Sequence, residues 1–420
     1  MRFCELTEQE YRSFQETSPC ANFLNSLEAR EMRRRAGIET ELVGVKNDRE
    51  EILAAAFLAH LGGKVRYTVA QRGYLADYSD RETLKFFTAE LKKHLKKNGS
   101  VWLQLSPHLL VRERDNDGNL VEGGFDNTWI IRNLEELGFI HRGFTTGVPD
   151  GTEVRWEYSL YMNDFDWNAD KLIKHFNKRT RNHIVKGQKY GVKVKKLTRE
   201  ELDVFMEMEE MTAKEKNFED VARDRSYYEN LYDCYGEHAE FLLAYLDADH
   251  TMGLLEKEQK EIDAKLEKLR AKRAAHPEYK NLEAQENDIL KEVTANEKYR
   301  RELAKFAEEC GNEIPLSTGV FMVYPYEITS LSSGSNRAFS IFDGANALRW
   351  YTMNQAIRQK INRYNFYGLS GDFSKDAEDY GVFQYKKGYG GVVEENVGDF
   401  YLPLKPLEYK LYRMLRPWKE

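Results

Sequence analysis

The sequence predicts an α/β (α+β) chain of two similarly built lobes, with an antiparallel coiled-coil arm inserted in the second. Three observations carry this. Short apolar segments alternate with helix-period segments over most of the chain. Between about Leu254 and Glu309 the period lengthens to seven. The segments that flank this stretch, Phe241 to Tyr245 and Gly319 to Tyr324, both read as buried strands, so one domain resumes after an interruption.

Taken in order, Ile52 to Leu58, Val65 to Val69 and Val101 to Leu105 are strands of the first lobe, and Arg81 to Lys96 is a helix among them. The second lobe opens with a basic helix broken at Gly187 or Gly191, followed by a strand at Val192 to Val194 and a helix from Leu202 to Met211. In the arm, Leu255, Ile262 and Leu269 recur every seven residues, as do Leu282, Ile289, Asn296 and Leu303, with Glu and Lys between them. His276-Pro277-Glu278 separates the two runs, and so short a connection lays successive helices side by side. The expected division is 1–150 for the first lobe, 151–253 and 311–420 for the second, and 254–310 for the arm. No arm residue reads as catalytic; spacing and docking are the expected uses.

Composition excludes several classes. Of 420 residues, 63 are Lys or Arg and 70 Asp or Glu, a net charge of −7 that argues against indiscriminate nucleic-acid binding but not against a local basic face. No run approaches the roughly 18 apolar residues of a spanning helix. Met1-Arg2-Phe3-Cys4-Glu5-Leu6 lacks the charged head and apolar block of a secretory signal, so a cytoplasmic location is expected. Cys4, Cys20, Cys234 and Cys310 stand far apart, and H-E-x-x-H is absent, so no metal is expected. There is no G-x-G-x-x-G opening a helix and no phosphate-binding G-x-x-x-x-G-K-[ST]. Gly368-Leu369-Ser370-Gly371-Asp372 departs from a nucleophile elbow at its last position. No glycine loop of the kind that cradles acetyl-coenzyme A occurs either, so any acyl donor is something else.

From Lys171 to Arg199 there are eleven Lys or Arg and no acid. A solvated helix face normally mixes both signs, so such a run points toward phosphate, whether of a nucleotide, a polyphosphate or an RNA backbone.

Several strings occur in a characteristic order: Arg72-Gly73-Tyr74-Leu75-Ala76-Asp77-Tyr78, Lys178-Arg179-Thr180-Arg181-Asn182, the arm, Tyr364 to Phe373, Gly381 to Gly391 with its Tyr385-Lys386-Lys387-Gly388-Tyr389 block, and Val397-Gly398-Asp399-Phe400. Together they resemble the Fem family of peptidoglycan bridge-forming aminoacyltransferases over essentially the whole chain. The resemblance implies two acetyltransferase-like (GNAT-type) lobes and transfer of an amino acid from aminoacyl-tRNA, as co-substrate, to an amine on the stem peptide or growing bridge of a lipid-linked precursor. It implies no cofactor. It also implies peripheral contact with the cytoplasmic membrane face, and self-association is a further expectation. The alternatives are an aminoacyltransferase acting on a protein or lipid acceptor, and a non-catalytic coiled-coil adaptor.

Site residues follow from the same resemblance. Lys386 aligns with the family's lysine of a phenylalanine-lysine pair, with Tyr385 in the phenylalanine position, and would steady the oxyanion that forms when an amine attacks the ester. A surface lysine beside a glycine turn is the bland reading. Arg181 matches a position that faces precursor phosphates, which its bidentate fork suits, and Lys178 and Arg179 would share that load. Arg33, Arg72 and Tyr78 are further candidates for substrate contact, with a core role the alternative for Tyr78. One departure bears on mechanism: Ser106 precedes Pro107 where relatives carry an aspartate. Deprotonating a lysine side chain at pH 7 costs roughly 4 to 5 kcal/mol, so a missing carboxylate favours an acceptor α-amine or a proton acceptor on the substrate.

Overall fold

The computed structural model describes residues 1–147, 152–216, 223–276 and 281–417. These form sixteen strands: Arg2–Glu5 (β1), Glu39–Lys46 (β2), Ile52–Leu61 (β3), Tyr67–Ala70 (β4), Leu75–Ala76 (β5), Trp102–Leu105 (β6), Leu110–Glu113 (β7), Ile140–His141 (β8), Trp156–Tyr161 (β9), Lys193–Lys196 (β10), Ala239–Asp247 (β11), Glu313–Val323 (β12), Glu327–Ser335 (β13), Arg363–Leu369 (β14), Val392–Asn396 (β15) and Phe400–Pro403 (β16). The helices are Glu8–Thr17 (α1), Leu27–Arg35 (α2), Arg81–Lys97 (α3), Thr128–Glu136 (α4), Ala169–His175 (α5), Lys178–Lys189 (α6), Leu202–Lys216 (α7), Arg225–Tyr235 (α8), Ala248–Ala275 (α9), Asn281–Cys310 (α10), Gly344–Gln359 (α11), Tyr380–Lys387 (α12) and Pro406–Leu415 (α13).

The strands make two mixed sheets. One runs β1-β2-β3-β4-β6-β16-β8 with β5 against β3; the other runs β10-β11-β12-β13-β14-β9-β15-β7. Each is antiparallel apart from a single parallel pair, β4 with β6 and β13 with β14. The sheets also exchange strands: β16, near the end of the chain, pairs with β6, and β7 pairs with β15. One apolar core spans both, from Phe57 and Leu103 to Phe205, Phe241 and Val320.

The basic stretch forms two helices, not one. The first ends at His175 with Phe176 as its cap, and Asn177 caps α6, its Oδ1 accepting the Thr180 N–H at 2.8 Å. Gly187 lies buried inside α6, and the helix stops at Tyr190 before Gly191, whose φ of +72° suits glycine.

Helices α9 and α10 pack as an antiparallel hairpin. Arg270 of one faces Glu286 of the other, and Arg300 faces Glu256. Leu255, Ile262, Leu282 and Leu303 are buried between them. So is Asn296, whose Nδ2 donates to the Leu255 carbonyl at 3.0 Å. The expected turn at Pro277-Glu278 lies outside the described residues. No described helix is long and apolar enough to cross a membrane.

A buried ion network ties the sheets together. Arg363 meets Glu157 at 3.0 Å, Glu327 at 2.5 Å and Glu394, and Arg72 meets the other oxygen of Glu157 at 3.0 Å. Burial opposes ionisation of Glu157, but the charges of Arg72, His108 and Arg363 overcome it and hold its carboxyl well below the usual range.

Candidate active site

Lys386 lies near the end of α12, only 7% exposed. Its ammonium donates to the carbonyls of Tyr367 at 3.0 Å and Gly368 at 2.5 Å. Those carbonyls are available because β14 bulges between Asn365 and Gly368, with Tyr367 held at φ +64° while the Asn365 Oδ1 accepts its N–H at 2.7 Å. A left-handed backbone at a bulky residue is strain, and here it aims two neutral carbonyls at one cation.

Lys386 and Tyr385 line a cavity of about 600 Å³ together with Arg349, Ser333, Ser335 and Thr212. Arg349 is the unusual member. It is 7% exposed, its Nη2 donates to Ser333 Oγ at 2.8 Å, and its guanidinium lies over the Tyr385 ring. Its Nε and Nη1 have no hydrogen-bond partner, and it forms no ion pair among the described residues. A buried cation left in that state is costly unless a ligand anion completes it. Tyr385 is positioned by a hydroxyl contact of 3.1 Å to Tyr389, whose own hydroxyl donates to Asn346 at 2.7 Å.

A second cavity of about 700 Å³ shares Thr212, Ser332 and Ser333 with the first, so the two form one groove along β13 and α7. Tyr367 lines it, with Arg223 and Tyr227 at the start of α8. The Arg223 guanidinium lies 5.3 Å over the Tyr227 ring. Burial pushes the Tyr227 hydroxyl up, and the charges of Arg223 and Arg33 pull it back; Arg33 of α2 lies within electrostatic reach of this ring but lines neither cavity. Arg33 also donates to Gln71 at 2.9 Å.

Arg181, Arg179 and Lys178 sit in the first turn of α6, which packs on the turn after Lys386: the Asn177 N–H donates to the Gly388 carbonyl at 3.0 Å. A Cβ at Gly388 would collide with Thr180 Oγ1, so this glycine serves the packing of two helices. Lys178 and Arg179 are exposed, and Arg181 reaches the Lys174 carbonyl at 3.4 Å.

The acid-free run itself is less bare than its sequence. Lys189 pairs with Glu258, Lys193 with Asp247, Lys195 with Glu313, Lys196 with Glu240 and Arg199 with Asp233. Distant acids thus neutralise its second half. Lys174, Lys178, Arg179 and Arg181 have no carboxylate partner among the described residues and form the basic face that remains.

Two candidates fall inside the fold. Arg72 is 1% exposed, bound to Glu157, and held at φ +54°. Tyr78 is buried, its hydroxyl accepting from the Tyr74 N–H at 3.2 Å. Neither offers a surface to a substrate, which corrects the expectation of substrate contact: both hold the turn after β4. Sequence reasoning missed Arg349, Arg223 and Tyr227. Arg349 sits in an ordinary helical pattern, and its lack of a partner is visible only in three dimensions.

The reading of Ser106 also changes. Ser106 Oγ donates to the carboxyl of Asp399, which burial raises to about 6. A carboxyl group therefore does stand at Ser106, delivered from the far end of the chain, and the ground for preferring an α-amine acceptor falls. Elsewhere, Glu39, Glu41 and His60 come together with metal-ligand spacing, but Arg66 takes Glu39 at 2.7 Å and His94 takes Glu41 at 2.5 Å. Neighbouring side chains occupy both acids.

The FemAB family profile matches residues 6–416. Aminoacyltransferase FemA of Staphylococcus aureus strain MRSA252 is 34% identical over 422 residues, covering 100% of this chain and 99% of the relative. The FemA of strain N315 is likewise 34% identical. Among solved structures, a crystal structure of FemX superposes with a TM-score of 0.80 at 26% identity, covering 98% of this chain and 99% of that one.

Proposed function

From the premise that this chain belongs to the FemAB family, we propose that it is an aminoacyltransferase of peptidoglycan bridge formation, moving an amino acid from aminoacyl-tRNA to an amine of a peptidoglycan precursor of the lipid-linked type. The observation that carries the reading at the level of the site is the paired cationic cavity: Lys386 fixed by two carbonyls beside Arg349, a buried guanidinium two of whose nitrogens have no hydrogen-bond partner.

In the proposed reaction, the acceptor nitrogen attacks the ester carbonyl carbon, and its oxygen gains negative charge. Lys386, already dehydrated and oriented, stabilises that oxyanion. Collapse expels the ribose oxygen of the tRNA end, which takes up the proton that the attacking amine releases. Arg349 would hold the terminal phosphate of the donor, while Arg223 and Tyr227, with Arg33 in electrostatic reach, would take the phosphates of the acceptor at the other end of the groove. Arg181, Arg179 and Lys178 would meet the RNA backbone further out. Neither metal nor coenzyme enters the reaction. The lobes are read as acetyltransferase-like units at 1–150 and at 151–253 with 311–420, and the hairpin at 254–310 as a coiled-coil arm. Peripheral contact with the cytoplasmic membrane face, imposed by a lipid-linked acceptor, and self-association belong to the same proposal.

The test is reconstitution with charged tRNA and lipid-linked precursor, followed by mass spectrometry of the product. Lys386→Ala should lower kcat by about 10²- to 10³-fold in protein whose circular dichroism at the assay temperature is native. Undiminished turnover of that variant would remove Lys386 from the mechanism. Product on a protein or on a membrane lipid instead of the precursor would move the reading to another acceptor.

A further inference from the structure

We propose that α13 is a membrane-contact element that seats the protein on an anionic lipid surface. This helix is amphipathic the wrong way round for a protein surface. It docks on the first sheet through Tyr409 and Tyr412, which pack on Trp102 with ring centroids at 5.8 and 4.7 Å. Its opposite face carries Leu407, Leu411, Met414 and Leu415, which are 86%, 58%, 71% and 75% exposed. Spaced at i, i+4, i+7 and i+8, they form one continuous stripe. On another side of the helix a mainly apolar hollow of about 540 Å³ is lined by Ile140, Pro403 and Pro406 together with Lys410 and Arg413. Isolated exposed leucines need no explanation, but a contiguous stripe marks something that covers it.

Charge decides what does. From Leu404 to Pro417 there are four cations, Lys405, Lys410, Arg413 and Arg416, against Glu408 alone, in a chain whose net charge is −7. Lys405 pairs with Glu408 at 3.5 Å, Arg413 lies over the Tyr401 ring at 4.8 Å and Arg416 over the Tyr412 ring at 5.7 Å, which leaves Lys410 exposed beside the stripe. Leucines bordered by cations on long apolar stems suit the headgroup boundary of an anionic bilayer. A second copy fits less well. A ten-residue helix is about 15 Å long and presents far less than the roughly 800 Å² per partner that a stable interface buries. Trp418 and Lys419, which the sequence adds beyond it, lie outside the described residues.

The inference extends the proposed membrane contact and shares its premise of a lipid-linked acceptor. The experiment needs no acyl transfer, so its failure leaves that chemistry standing. Full-length protein is sedimented with vesicles of phosphatidylcholine alone or with one third phosphatidylglycerol. Binding should appear on the anionic vesicles, weaken with salt, and fall at least about tenfold in L411E/L415E and several-fold in K410E/R416E, with the melting temperature unchanged. No binding to either vesicle, or equal binding by L411E/L415E, would overturn the assignment. So would a dimer in light scattering that L411E/L415E dissolves, since a second copy would then cover the stripe.

Discussion

Replacing Asp399 with asparagine should make the protein more stable at neutral pH. Asp399 is 4% exposed, and burial, reinforced by the charge of Glu153, raises its carboxyl from 3.8 to about 6 although Ser106, Arg72 and Gln104 oppose the rise. A group whose folded pKa exceeds its unfolded one contributes stability that is complete below pH 3.8 and is lost as pH rises through about 6. The gap corresponds to about 3 kcal/mol, withdrawn between those values and constant above them. Asparagine keeps an oxygen to accept the Ser106 hydroxyl and never ionises. Urea unfolding of both proteins at pH 4, 5, 6 and 7 reads the difference directly: near zero at pH 4, growing to about 2 to 3 kcal/mol in favour of Asp399→Asn at pH 7. Comparing the two proteins at each pH cancels the titration of every other group. A difference that stays flat with pH, or that favours the natural residue at pH 7, would refute a buried, raised carboxyl at this position.

Arg349→Met should raise the KM for the tRNA donor about tenfold or more, the loss of a charge-assisted hydrogen bond, while leaving the melting temperature unchanged or higher because it orphans no carboxylate. Arg363→Met, by contrast, strands Glu327 and Glu394 in the interior, leaves Glu157 to Arg72, and should cost about 3 to 5 kcal/mol in chemical unfolding. Asn296→Leu removes a buried amide whose Oδ1 has no partner; the hairpin should gain about 1 kcal/mol, read as a higher melting temperature. Gly371→Ala should destabilise by more than about 1 kcal/mol, since φ is +82° there and the new Cβ would strike the Trp156 ring.

The sequence was most legible where one period acts alone. The helices beginning at Arg81 and Leu202 and the strand beginning at Ile52 start where expected, because each turns a single apolar face to a core. In the hairpin, Leu255, Ile262, Leu282, Asn296 and Leu303 of the sevenfold series are buried, while Leu269 and Ile289 are half-buried. What stayed hidden depends on the rest of the chain. The stop before Gly191 falls where expected, but the additional break at Asn177 is a capping event that no apolar period reports. The bareness of the basic run disappears because acids at Glu258, Asp247 and Glu313 fold back on it. Strand β16 belongs beside β6, almost three hundred residues away, and no local period reports such a pairing. The carboxyl against Ser106 arrives by that same strand exchange, one residue before β16.

Buried charge separates scaffold from site in this protein. The arginines and glutamates around Arg363 are compensated: each cation faces carboxylates at hydrogen-bond distance, and the network joins two sheets. At the groove Arg349 forms no ion pair among the described residues, Tyr367 holds a left-handed backbone to direct its carbonyl at Lys386, and elsewhere Asp399, beside Ser106, is held near a pKa of 6. Each of these lowers stability, and a chain selected for stability alone would have removed them by single substitutions. The first two converge on the groove, where an anionic ligand would complete Arg349. If Arg349→Met proves more stable than the natural protein yet turns over the donor poorly, the cost and the function reside in the same guanidinium.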